Sequence, residues 1–126
     1  MILKNKDIIE YYEVLSTGFK DNTKYLPAKI SFIIQKNIKM LKELSEEIYS
    51  ARNNIIQNYG IQDEEDKDSF IIPKEFQEIT QKELDDLIEM EQEVNILKLK
   101  FSDIENLEFT MNQMEALIFM IEEEVE

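Results

Sequence analysis

The sequence predicts a mainly α fold with a minor β part: a long central helix packed by three shorter helices, beside a small two- or three-stranded sheet. Three observations carry this. Between Pro27 and Gly60 nothing breaks the chain, and Ile34, Leu41, Ile48 and Ile55 recur every seventh residue, which keeps one side of a helix apolar. The runs Thr80-Gln81-Lys82-Glu83 and Thr110-Met111-Asn112-Gln113 have the form of capping boxes, in which a Thr hydroxyl and a Glu or Gln side chain satisfy backbone N–H groups at a helix start. Leu97, Leu99 and Phe101 alternate with Lys98 and Lys100, the period of two that marks a half-buried strand.

Taken in order, Asn5 or Asp7 caps a first helix running to about Thr17, with Ile8, Ile9, Tyr12 and Leu15 at helical spacing and Gly18 as its stop. Lys20 to Lys24 is polar and carries the turn signal Asp21-Asn22. The second helix opens at Leu26-Pro27, because proline's fixed φ and missing N–H suit a first turn, and Gly60 is its expected C-terminal cap. Ile30, Ile38, Leu44, Ala51 and Tyr59 flank the heptad stripe. At a rise of 1.5 Å per residue this helix is roughly 50 Å long, more than the width of a compact domain of this size, so part of it protrudes or pairs with another chain. Gln62 to Asp68 has no apolar member, so residues 61–69 read as an exposed acidic loop. Phe70-Ile71-Ile72 before Pro73 reads as a short edge strand. The Thr80 box starts a helix of about a dozen residues, with Leu84, Leu87, Ile88 and Glu91 in period and an acidic outer face. The strand near Leu97 needs a partner, for which Met1 to Lys4 and Phe70 to Ile72 are the candidates. The Thr110 box opens a last helix with Met114, Leu117, Ile118, Ile121 and Val125 on one side, and Phe119 and Met120 make it apolar nearly all round.

A length of 126 residues fits a single domain spanning 1–126. There is no cysteine and no histidine, which removes disulfides, Cys/His metal sites, thiolate nucleophiles and the usual proton shuttle at neutral pH. Serine nucleophiles have no imidazole base, and Gly18 and Gly60, the only glycines, stand too far apart for a phosphate loop. The expectation is no enzyme, no catalytic residue and no cofactor. The opening Met1 to Asp7 meets a charge within four residues, and the longest apolar run is Ala116 to Ile121, far short of the roughly 20 residues that cross a bilayer. The sequence therefore predicts a soluble, cytoplasmic protein with no membrane partner.

Formal net charge is -14 with a single arginine, Arg52, which opposes direct nucleic-acid binding. The charge is uneven. Lys20, Lys24, Lys29, Lys36, Lys39 and Lys42 gather in one stretch, whereas Asp63 to Glu93 and Glu122 to Glu126 are strongly acidic. With Tyr25 and Phe32 interleaved, the lysines read either as a single-strand nucleic-acid patch or as a solvated face that pairs with the acidic helix of the same chain. Asp63, Glu64, Glu65, Asp66 and Asp68 lack the alternate spacing and central glycine of a calcium loop. Asp85, Asp86, Glu89 and Glu93 share a helical face without the histidines of a bundle-type di-metal site. Both groups read as solvated carboxylates, and no metal site is expected.

Several passages resemble a family of small phage proteins. Leu26 to Ile38 at the opening of the long helix carries the likeness, together with Leu3 to Ile8, the ending Asn58-Tyr59-Gly60 before an acidic segment, Leu97-Lys98-Leu99, and Met114 to Ile121. These are similar to a domain-of-unknown-function family from tailed phages and prophages of Gram-positive bacteria. The resemblance covers most of the chain and implies a phage or prophage origin, so that the cytoplasm expected above is that of a bacterial host cell, and a compact helical fold. It carries no activity and no site residues.

The expected function is thus non-enzymatic: binding and modulating a host or phage protein through exposed apolar helix surface. Leu117, Phe119 and Met120 are the apolar candidates for that contact, and Asp85, Asp86 and Glu89 the acidic ones. A homodimer through the long helix is a further option. Two other classes stand beside it: an acidic DNA mimic that inhibits a nucleic-acid-binding defence or transcription protein, and a structural or assembly protein of the phage particle.

Overall fold

A computed structural model describes residues 1–19 and 25–122. The expected Asp21-Asn22 turn, Val125 and the acidic end beyond Glu122 lie outside the described residues. The fold is mainly α with minor β. In order the elements are β1 (Ile2–Lys4), α1 (Asn5–Phe19), α2 (Ala28–Tyr59), β2 (Ile61–Gln62), β3 (Phe70–Ile71), α3 (Lys74–Glu89), β4 (Glu91–Glu93), β5 (Leu99–Lys100), α4 (Phe101–Ile104), α5 (Met111–Leu117), a 3-10 turn (Ile118–Met120) and β6 (Ile121–Glu122). The long helix α2 packs on α1 and α3, and α1 in turn carries α5.

Pro27 stands at the N-cap of α2, one residue ahead of the first turn that its ring suggested, with the Ser31 N–H donating to its carbonyl at 3.0 Å. Ile30, Ile33, Ile34, Leu41 and Ile48 are buried along one side. Past Ile48 no residue of α2 is fully buried, so the last three turns extend beyond the core. The chain covers this end itself: the Tyr59 ring lies 5.8 Å from that of Phe76, and the Tyr59 hydroxyl donates to Glu83 at 3.1 Å. Gly60 ends the helix in an extended conformation. Space dictates the glycine, because a Cβ there would sit 2.6 Å from the Ile56 carbonyl oxygen.

Several sequence expectations are corrected. α3 begins at Lys74 behind Pro73, not at Thr80; Thr80 is buried inside the helix, and its hydroxyl donates back to the Phe76 carbonyl at 2.6 Å. Gly18 does not stop α1, which continues to Phe19. The Gly18 carbonyl instead accepts from Gln113 Nε2 at 3.0 Å, where α1 meets α5. Asn5 is no solvent-facing cap. It is buried, donating from Nδ2 to the Leu87 carbonyl at 2.8 Å and accepting from Gln92 Nε2 at 2.7 Å, which ties the start of α1 to the end of α3. The expected single sheet is three two-stranded ribbons: β1 with β4, β2 with β3, and β5 with β6 in parallel. The segment 61–69 is accordingly a hairpin closed by carboxylates, with Asp63 Oδ1 accepting from the Glu65 N–H and Asp66 Oδ1 from the Asp68 N–H. The Thr110 capping box is present in both directions.

Buried side chains form one cluster in which Ile8, Leu15 and Phe19 of α1, Ile30, Ile34 and Leu41 of α2, and Val94, Leu99, Ile104, Leu117 and Met120 meet.

Candidate functional site

One side of α2 lies at the edge of that cluster, with Met40 packed against it. Phe32, Lys36, Lys39, Met40 and Glu43 recur at three- and four-residue steps, which places them together on a helix surface. Phe32 is 62% exposed. Opposite this face runs the irregular segment 94–98, which turns at Asn95 through an Ile96 N–H bond to the Val94 carbonyl at 3.0 Å; Val94 and Ile96 enter the core while Asn95 and Lys98 face outward. The Val94 N–H donates to the Met1 carbonyl at 2.7 Å. Its course beside α2 is set by Asn37, fully buried in the apolar stripe. The Asn37 amide donates from Nδ2 to the Leu97 carbonyl at 2.8 Å and accepts from the Leu97 N–H at 2.9 Å. A side-chain amide thus takes the place of a neighbouring strand and fixes the Leu97 backbone against α2.

Between the two walls is a groove of about 630 Å³, with Phe32, Met40 and Leu97 as apolar lining and Gln35, Lys36, Lys39, Glu43 and Asn95 as polar lining. Lys36 Nζ sits 5.6 Å from the centre of the Phe32 ring, within cation–π range. Lys29 reaches Asp103 at 3.5 Å, but among the described residues no ion pair engages Lys36, Lys39 or Lys42. With Lys36 and Lys39 against Glu43, the groove carries one positive charge in excess on a chain of net charge -14.

The chain matches none of the protein-family models, curated proteins or solved structures with which it was compared.

The residues singled out from sequence are distributed differently. Leu117 and Met120 are fully buried, so neither offers surface to a partner. The chain tightens into a 3-10 turn after α5, a geometry that eclipses residues three apart; this turns Leu117 and Met120 inward together and leaves Ile118 63% exposed. Phe119 is half-buried and stacks on Tyr11, ring centres 4.1 Å apart. Asp85 and Asp86 are exposed on α3, with Asp85 accepting from Gln81 Nε2 at 2.9 Å. Glu89 is committed within the chain: Lys4 Nζ and Lys6 Nζ each donate to it at 2.8 Å, and these two ammonium groups hold its carboxyl at about 2. The lysines that pair with α3 thus come from β1 and α1 and not from α2. Among the described residues no group of three or more acidic side chains is placed to hold a metal ion, and no helix is long and apolar enough to cross a membrane.

Phe32 and the lysines stood out in the sequence, but Asn37 and the wall at Asn95 and Leu97 did not. The available signal was Asn37 itself, an amide at a stripe position where Ile30, Ile34 and Leu41 predict an apolar residue. A polar group there needs a buried partner.

Proposed function

We propose that this is a non-catalytic binding protein of phage or prophage origin that engages a host or phage protein at the groove on the first half of α2. The observation that carries the reading is Phe32, a large aromatic held 62% exposed at the mouth of a concave apolar site. Burying such a side chain contributes about 1.5–3 kcal/mol relative to leaving it in water, and aromatic anchors in desolvated pockets dominate many protein interfaces. Lys36 and Lys39 beside it add charge selection. The phage or prophage origin is carried by the sequence resemblance of passages such as Leu26 to Ile38 and Met114 to Ile121, which points to a Gram-positive host for the search.

Affinity capture from such a host lysate with the wild-type chain and Phe32→Glu, quantified by mass spectrometry, tests this. At least one protein retained by the wild type is expected to fall about tenfold or more with the variant. The same proteins at the same yields from both baits would refute the reading.

A further inference from the structure

We propose that the groove takes an acidic amphipathic helix of about three turns; this inference rests on the groove being the binding site. The dimensions select a helix. From Phe32 to Glu43 the α2 wall runs about 16 Å at 1.5 Å per residue, the length of three turns in a partner lying along it. Three apolar residues, Phe32, Met40 and Leu97, are spread over that length, and an amphipathic helix offers anchors at i, i+4 and i+7 to such a groove. Met40 adds adaptability, since an unbranched thioether fills irregular gaps.

The charge selects an acidic one. Lys36 and Lys39 line the groove and no ion pair engages either among the described residues, so carboxylates on a partner would complement them. A basic peptide would be drawn instead to α3, where Glu75, Glu78, Asp85 and Asp86 are exposed, or to the Asp63–Asp68 hairpin. Glu43 stands at the far end of the groove, so the partner's carboxylates should concentrate over the half that spans Phe32 to Lys39. A nucleic acid is a poorer occupant, because its backbone places a phosphate at every nucleotide and only two lysines line the groove, beside Glu43 and three apolar side chains. A second copy is poorer too: the acidic helix it would present is α3, whose Phe76 and Glu83 are already engaged by Tyr59.

The experiment is selection of a displayed library of random 16-residue peptides on the intact protein, in parallel with Phe32→Glu and the Lys36→Glu/Lys39→Glu pair, each checked for folding by circular dichroism. Anisotropy titration of the enriched peptides at low and high salt follows. Enriched sequences should carry excess Asp and Glu with apolar residues at i, i+4 and i+7, bind about tenfold or more weakly to either variant, and weaken as salt rises. Enrichment of neutral or basic peptides that still require Phe32 would overturn the acidic partner while leaving the groove as the binding site. Binding indifferent to Phe32→Glu would sink both statements, and no enrichment above background would sink this one. Two controls name the competing occupants: binding of a thymidine 20-mer lost in the lysine pair variant would favour nucleic acid, and self-association in sedimentation lost in Phe32→Glu would favour a second copy.

Discussion

Replacing Asn37 by alanine separates the wall of the groove from the helix that supports it. The buried amide makes two hydrogen bonds to the Leu97 backbone, at 2.8 and 2.9 Å, and the substitution strands one donor and one acceptor. Each stranded group costs about 1–3 kcal/mol when water cannot replace the partner. Leu97 is half-buried, so water partly compensates and the expected loss is about 2–3 kcal/mol in total, out of the roughly 5–15 kcal/mol that stabilises a domain. For 126 residues that is a fall in melting temperature of about 8–12 °C. Ser45 provides the counterpart. It is also buried in α2, but its hydroxyl has no hydrogen-bond partner, so Ser45→Ala should be neutral or stabilising by up to about 1 kcal/mol, helped by alanine's helix propensity. Urea titration followed by circular dichroism reads both, with an unchanged slope confirming that the native state is what changes. Asn37→Ala within about 0.5 kcal/mol of wild type, or Ser45→Ala costing more than Asn37→Ala, would refute the reasoning.

Three further outcomes follow from the same contacts. Lys4 and Lys6 hold the Glu89 carboxyl at about 2 against an ordinary 4.5; the stability this supplies is complete above 4.5 and lost as pH falls toward 2, so urea midpoints of Glu89→Gln should lack the part of the wild-type acid slope in that window. Leu117→Ala should cost about 2–5 kcal/mol by opening a cavity, whereas Ile118→Ala at the exposed neighbour should stay within about 0.5 kcal/mol; thermal melts showing the reverse would contradict the placement of the 3-10 turn. Gly60→Ala brings its Cβ to 2.6 Å from the Ile56 carbonyl oxygen and 3.0 Å from Phe70 Cβ, and calorimetry should show a loss of about 1–3 kcal/mol from forced backbone shifts.

How much of this was legible in the sequence depends on how local each signal is. The boundaries of α2 were legible because Pro27 acts through its own fixed φ and Gly60 stands where a side chain would meet the turn before it, and the Thr110 box because its two hydrogen bonds span three residues. The same pattern at Thr80 misled, since Pro73 had already started the helix and the hydroxyl found the Phe76 carbonyl within it. Pairing of β5 with β6 was not legible: two-residue strands have no periodicity, and their partner is fixed by where α5 and the 3-10 turn deliver the chain. At Leu117 and Met120 the stretch is apolar nearly all round, so no polar face marks which side is buried, and the 3-10 turn decides it. Phe32 and its lysines were visible as an aromatic and basic face, but a groove needs a second wall, and the bond that places it joins residues 60 positions apart.

Photocrosslinking in living bacterial cells tests the central claim most directly. With benzoylphenylalanine in place of Phe32, ultraviolet light should join the chain to a discrete second protein, and with the same group in place of the equally exposed Ile118 it should not. A product formed from position 118, with none from position 32, would contradict the assignment of the α2 groove as the binding surface.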